Sequence, residues 1–338
     1  MRIATYNVEW FDSLFDKAGN LLPDNAWSGR RDVQRGQQIA ALGRVFRALD
    51  ADAVMVIEAP DTNRDRNGVR ALENFAHRFR LRAKKALIGF VSDTQQEIML
   101  LYDPAVLTAR HDPLGQDGPD APRFDATFQK DIDIDATPEL IRWSKPPLEV
   151  ALTTAGGKAL RLIGVHAKSK APHGAHGAAQ IMAIGIENRR KQLAQCVWLR
   201  ARVAAHLAAG DDLIVLGDFN DGPGLDDFET LFGKSSIEIV MGEGADPALQ
   251  LTDPHARMAL TQRIGAAPTT ARFKIPPDGR YLSALLDYVM VSPRLAALAP
   301  AWRIWHPFDD PLCYENPRLR NALLTASDHF PVSIDLAL

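Results

Sequence analysis

At 338 residues the chain exceeds the size at which one simple core stops growing, so it forms either two small domains or one large layered domain. Hydrophobic residues at 46% and charged residues at 24% exclude a disordered chain and describe a globular protein with a sizeable core. The formal net charge of −3 provides no overall positive field toward DNA or an anionic bilayer, so any polyanion must be held by local cations.

The first residues, "MRIATYNVEWF", have no basic region followed by a long apolar run, which predicts a cytoplasmic protein without membrane insertion. In chain order, "IATYNVEW" reads as a strand, and Ile39, Leu42, Phe46 and Leu49 form a helical stripe. "AVMVIEAP" is a second strand, and Val69, Leu72, Phe75 and Phe79 mark a second helix. "EIMLLYD", "PLEVALTT" and "LRLIGVHAKS" follow as strands, before a third helix carrying Leu193, Cys196, Val197, Val203 and Leu207. "DLIVLGDF", "LLDYVMVS", "AWRIWHP" and "FPVSIDLAL" complete the strands, each bounded by Gly, Pro, Asp or Asn.

Long irregular stretches are expected near 112–140, 171–187, 242–280 and 307–325. Strands that cluster without regular strand–helix alternation disfavour a doubly wound sheet and favour an α+β arrangement, two sheets face to face with helices outside. No linker composition and no repeat is seen, so the whole of 1–338 is expected to be a single domain. Cys196 and Cys313 are expected to be free thiols.

Several strands end in the same way, with polar residues. "ATYN" delivers Asn7 with Glu9 two residues on, "AVMVIE" delivers Glu58, and "LRLIGVH" delivers His166 with Lys168 on its side. "LIVLGD" delivers Asp218 and, at strand spacing, Asn220; "ALLD" opens a strand at Asp287; "TASDHF" offers Asp328 and His329. Each alone is as readily a turn or capping residue, and it is the joint pattern that counts. If these ends converge, acids and imidazoles share one cleft, which is costly unless a cation or a polarised substrate sits among them. Oxygen donors without cysteine suit magnesium or manganese better than zinc. There is no HExxH, CxxC, P-loop or GxSxG. His173 and His176 in "APHGAHGAAQ" have the spacing of a zinc pair, but a Gly/Ala-rich loop reads better as a flexible rim.

Taken in order, "TYNVEW", "VIEAP", "GVHAKSK", "VLGDFND", "LDYVMVS" and "SDHFPV" resemble the endonuclease/exonuclease/phosphatase superfamily, with "GDFND" and "SDHFPV" the most specific elements. The resemblance implies a four-layer deoxyribonuclease I-like α/β sandwich of two mostly antiparallel sheets, with a divalent-metal phosphoesterase site at one end. It implies that Asn7 and Glu58 belong to the metal site, Glu58 foremost, with Glu9 binding the ion or standing just behind its ligands and Asp328 beside the ion. Asp218 would orient or deprotonate the attacking water, Asn220 would hold that water or a phosphate oxygen, and Asp287 would fix the tautomer of His329. His166 would stabilise phosphoryl oxygens or protonate the leaving oxygen. Lys168 is the better candidate for an anion contact, and Arg189 or Arg190, at the start of the third helix, the weaker one.

The chain departs from the family pattern at Ile57, where many members carry Gln, so a supporting hydrogen bond is missing or replaced. His166 stands where abasic-site endonucleases commonly have Tyr, and "LDYV" stands where inositol polyphosphate phosphatases have Cys-Asp-Arg, so "VHAKSK" looks most like bacterial nuclease-type members. The leading expectation is therefore a Mg2+- or Mn2+-dependent phosphodiesterase, with a nuclease on DNA or RNA as its first form. The alternatives are the same chemistry on a small phosphoester or phospholipid headgroup, and a silent binding protein of the same fold. The residues carry no signal for oligomeric state.

Overall fold

The computed structural model describes residues 1–115, 121–130, 139–171, 174, 177–223, 233–261, 267–275 and 279–338. His173 and His176 lie outside the described residues. The strands of the first half are β1 (Arg2–Asn7), β2 (Ala53–Ala59), β3 (Lys85–Ile88), β4 (Glu97–Tyr102), β5 (Leu107–His111), β6 (Phe128–Lys130) and β7 (Glu139–Ile141). Those of the second half are β8 (Leu148–Thr154), β9 (Ala159–His166), β10 (Leu213–Asp218), β11 (Ala271–Lys274), β12 (Tyr281–Ala284), β13 (Asp287–Val291), β14 (Ala301–Ile304) and β15 (Val332–Asp335). The three helical stripes become α1 (Arg35–Leu49), α2 (Gly68–Phe79) and α3 (Ala178–Ala208).

Two larger sheets form, in the orders β14-β15-β1-β2-β4-β3 and β13-β10-β9-β8-β5. Only β1–β2 and β9–β10 pair in parallel within them. Three apolar layers follow from strand alternation. Ile3, Met55, Ile57, Leu162, Ile214 and Val289 fill the space between the sheets. Tyr6, Val54 and Val56 on the other face of the first sheet pack with α1, α2 and the helix Pro317–Ala326. Ile163, Val165 and Val215 on the far face of the second sheet pack with Trp198 and Leu199 of α3. This is the expected four-layer α+β sandwich. The sheets approach so closely at Gly164 that a Cβ there would lie 2.4 Å from the sulfur of Met55.

All nine sequence-read strands form, and both cysteines are free and buried. The irregular stretches hold more structure than their composition announces. The hairpin β6–β7, strand β11 and the helix Pro317–Ala326 fall in or at the edge of stretches read as loop, as do the first turns of α3, and β12 follows just beyond 242–280. β3 and β5 were not anticipated either; both are short and mostly half-exposed, so neither shows a clean apolar run. Among the described residues no helix is long and apolar enough to cross a membrane.

Candidate active site

Strand register brings the polar ends together. Asp218, the last residue of β10, pairs with His166 of β9 on one side and with Asp287 of β13 on the other, so three ionisable side chains stand in a row across the sheet end. Gly217 makes this possible. Its φ is 143°, and a Cβ would sit 2.0 Å from the Val165 carbonyl oxygen, so only glycine lets β10 lie this close to β9 just before Asp218. In the other sheet, Asn7 at the end of β1 lies beside Ile57, which places it next to Glu58. A β-bulge between Ile57 and Ala59 sets Glu58 at φ 61°, turning its side chain out of the ladder.

Asn7 joins the two sheet ends, donating from Nδ2 to Asp218 Oδ2 at 3.0 Å and, more weakly, to Glu58 Oε1 at 3.4 Å. The other oxygen of Glu58 accepts the Trp10 N–H at 2.8 Å, which supplies the hydrogen bond absent through Ile57; that side chain is buried between the sheets. The strand spacing read into "NVE" and "DFN" does not continue past the strand ends. β1 stops at Asn7 and β10 at Asp218, and Glu9 and Asn220 take left-handed backbone conformations, φ 49° and 51°. Asn220 returns to Asp218 all the same, its N–H donating to Oδ1 at 2.8 Å and its Nδ2 to Oδ2 at 3.2 Å. Glu9 turns away to an ion pair with Arg30 and accepts the Asp328 N–H at 2.9 Å.

His329 Nδ1 lies 2.7 Å from Asp287 Oδ2, while its Nε2 faces Asp218 Oδ2 and Asp328 Oδ1, each at 4.0 Å. Its backbone is set by Ser327, whose hydroxyl donates to the Asn7 carbonyl and accepts the His329 N–H. Thr270 Oγ1 accepts the N–H groups of Leu286 and Asp287. On the opposite flank, Lys145 Nζ approaches His166 Nε2 at 3.1 Å and donates to Gln96 Oε1 at 3.0 Å. With the ammonium as donor, the His166 proton sits on Nδ1, which is buried without a partner.

These distances divide the protons unevenly. Burial pushes the Asp218 carboxyl up to about 7, with His329 pulling it down and Asp287 pushing it further up. Burial also raises Glu58, and burial together with Asp328 lifts Glu9 to about 8 against the pull of Arg30. Burial opposes a charge on His329, yet Asp287 and Asp218 carry its pKa well above the ordinary value. His166 goes the other way, held low by burial and by the neighbouring Lys145 and His329. Burial brings Lys145 down to about 8, although Glu58 and Asp218 favour its charge. At neutral pH the site therefore holds one imidazolium and one neutral imidazole.

Lys145 is the residue that sequence reading missed. It lies in "RWSKPP", a Pro-rich turn with no strand-end pattern, and only the fold brings it to His166. Lys168 lines a cavity of about 560 Å³ with Arg142, Ser144 and Lys191; burial and Lys191 depress its pKa. Arg189 is a correction. It is wholly enclosed and ion-paired to buried Asp221, which Lys170 also contacts, so it does not reach a substrate. Arg190, next on α3, keeps a half-buried side chain.

The donor set fits a hard divalent cation. Asp218, which is buried, and half-buried Glu58 are both lifted above their ordinary range, and the buried Asp287 Oδ1 has no hydrogen-bond partner. Ligand atoms of Asp218, Asp287 and His329 lie within 4.8 Å of one another. The His329 ring, bonded through Nδ1 and drawn toward its charged form, is poorly suited to bind a cation, so the oxygen-rich end at Glu58 is the better seat for an ion.

A sequence model of the endonuclease/exonuclease/phosphatase family matches residues 4–329. The chain belongs to this family. It is accordingly a phosphoric ester hydrolase by class, and family enzymes generally use divalent metals. Solved structures share the fold: a 3′ phosphatase, NExo, from Neisseria bound to a product DNA hairpin is 16% identical with a TM-score of 0.50, each chain covered 100%. TDP2 from Caenorhabditis elegans, in a truncated form, is 13% identical with a TM-score of 0.50, covering 99% of this chain and 97% of that one. An AP endonuclease from Archaeoglobus fulgidus is 12% identical with a TM-score of 0.50, each chain covered 100%. A search of curated proteins gives no match.

Proposed function

We propose that this family member is a Mg2+- or Mn2+-dependent phosphodiesterase that drives water in line onto phosphorus, acting as one domain on nucleic acid. The observation that carries the reading is the His166–Asp218–Asp287 row, closed by His329 on one side and by Asn7 and Glu58 on the other. Glu58, with Asn7 and Asp328 beside it, would hold the ion, which when bound supplies a positive charge against the nonbridging phosphoryl oxygens. Glu9 supports that end from outside, through Asp328 and Arg30.

Asp218 is suited to accept the proton of the attacking water, because a carboxylate with a pKa of about 7 is a better base than an ordinary one. Asn220 and Asn7 fix its two oxygens. The His329 imidazolium, oriented and kept charged by Asp287, donates to the phosphoryl group as charge builds there. His166, kept neutral, and Lys145 form the opposing wall, where the ammonium offers a second cation. Lys168 supplies an anion contact at the adjoining cavity, whose size also suits the alternative substrate, a small phosphoester. The intact set of acids, amides and imidazoles argues against a silent binding protein.

The test is a substrate panel with purified protein and manganese: single- and double-stranded DNA, RNA, a chromogenic phosphodiester, a phosphomonoester and a phospholipid. Cleavage of a nucleic acid, abolished by chelation and restored by metal, is expected. Wild-type turnover in Asp218→Ala or His329→Ala would refute the site.

A further inference from the structure

The loop that carries Asp328 and His329 does not stand alone. Residues 328–330 run antiparallel beside β11, with Ala271 opposite His329. The Arg272 N–H donates to the Asp328 carbonyl at 2.7 Å, and the Phe330 N–H to the Thr270 carbonyl at 2.6 Å. Directly opposed residues of an antiparallel pair project from the same face, so Arg272 rises on the face of Asp328 and Phe330, while Ala271 and Phe273 turn to the other face.

On that face the aromatic rings form a continuous row. Phe330 contacts His306 at 4.8 Å between ring centroids, and His306 contacts Phe308 at 5.9 Å. The Arg272 guanidinium carbon lies 5.5 Å from the Phe308 ring and 4.4 Å from the Tyr281 ring, contacting both. Lys274 Nζ lies 5.8 Å from the same Tyr281 ring. The outer rings are open: Tyr281 is 53% exposed and Phe308 43%. Among the described residues Arg272 makes no ion pair and no side-chain hydrogen bond, so its guanidinium is positioned by rings alone with its donors unspent. A cation held between exposed aromatic side chains, on the strand that pairs with the catalytic loop, matches an anion followed by a planar ring.

We propose that Arg272 binds a phosphate flanking the scissile one and that Tyr281 stacks the base attached to it. The β11–β12 hairpin then selects single-stranded nucleic acid over small esters. This rests on the phosphodiesterase reading above and adds the polymer contact that a chain of net charge −3 must make locally. Both residues bind substrate; neither touches the reacting atoms.

The experiment measures kcat and KM for a short single-stranded DNA with manganese, across a range of salt, beside an oligonucleotide of equal phosphate count lacking bases. Arg272→Ala should raise KM for the DNA about tenfold and reduce the salt dependence of kcat/KM by about 0.7 of a log–log slope. Tyr281→Ala, at an open surface position, should raise KM for the DNA about tenfold while leaving KM for the base-free strand within twofold. Arg272→Lys should recover the salt slope but not the affinity. Wild-type KM and salt slope in both alanine variants would overturn the inference, as would a wild-type enzyme that turns over a chromogenic phosphodiester but no oligonucleotide. A wild-type enzyme inert toward every phosphodiester would instead bring down the underlying reading as well.

Discussion

Replacing Asp221 by alanine should cost more stability than replacing any acid on the surface. Its two oxygens take Lys170 Nζ at 2.7 Å, the Ser236 N–H at 2.8 Å and Arg189 Nη1, and both Asp221 and Arg189 are 0% exposed. Arg189 keeps a second bond to Gln192 at 2.7 Å, but its Nε and Nη2 already lack partners. Removing the carboxylate strands an enclosed guanidinium, a loss of about 3–5 kcal/mol. With an unfolding entropy of about 2.1 cal/mol/K per residue, 338 residues give about 0.7 kcal/mol/K, so the melting temperature should fall by about 4–7 °C. Asp221→Leu combined with Arg189→Met should regain much of this, because an apolar pair carries no unmatched charge. The sign with pH is also fixed: Lys170 and Arg189 outweigh burial and hold the Asp221 carboxyl below its ordinary value of 3.8. Its stabilisation is therefore present above that value and lost as pH falls through the depressed one. Thermal melts from pH 3 to pH 8 test this. An Asp221→Ala protein that melts with the wild type, or an Arg189→Ala protein that keeps its melting temperature and loses activity, would mean that Arg189 serves the substrate after all.

Glu58→Gln should raise the manganese concentration for half-maximal activity at least about tenfold, read from a metal titration of turnover. Lys145→Ala should lower kcat by about 10–1,000-fold and raise the His166 pKa, since the ammonium 3.1 Å away helps to hold that ring neutral; NMR titration of the imidazole reads the second effect. Gly217→Ala should lower the melting temperature and displace Asp218, because its Cβ would meet the Val165 carbonyl oxygen at 2.0 Å; a variant with wild-type melting and turnover would contradict the close β9–β10 approach.

What the sequence made legible was governed by local rules. A strand bounded by polar residues announces itself, and so nine strands, three helices and nearly all the acids and imidazoles that converge on the cleft are legible in the chain alone. Lys145 and the β11–β12 hairpin were not, because nothing near them in the chain marks their neighbours: His166 lies 21 residues beyond Lys145, and Asp328 lies 56 residues beyond Arg272. Arg189 shows the opposite failure. Read as a basic residue at a helix start it looks available to an anion, and only the fold reveals that it lies well inside α3, with Asp221 already occupying it.

The stretch "VLGDFNDGPG" concentrates the physical reason that a buried strand can end in charge. Val215 and Leu216 anchor opposite faces of β10 in separate apolar layers, Gly217 lets the strand close against β9, and Asp218 is the first residue beyond that support. The left-handed turn at Asn220 then folds the chain back, so that the residue two places on serves Asp218 instead of solvent. Asp221 points into the interior, where Lys170 and Arg189 neutralise it and Tyr288 donates to its carbonyl oxygen. Two aspartates three residues apart thus receive opposite electrostatic treatment: Asp221 is paired with Lys170 and Arg189 and held below its usual pKa, whereas burial pushes Asp218 up to about 7 against the pull of His329. The acid lifted by burial is the one that can exchange a proton near neutral pH, and the one held by two cations fixes the loop that presents it.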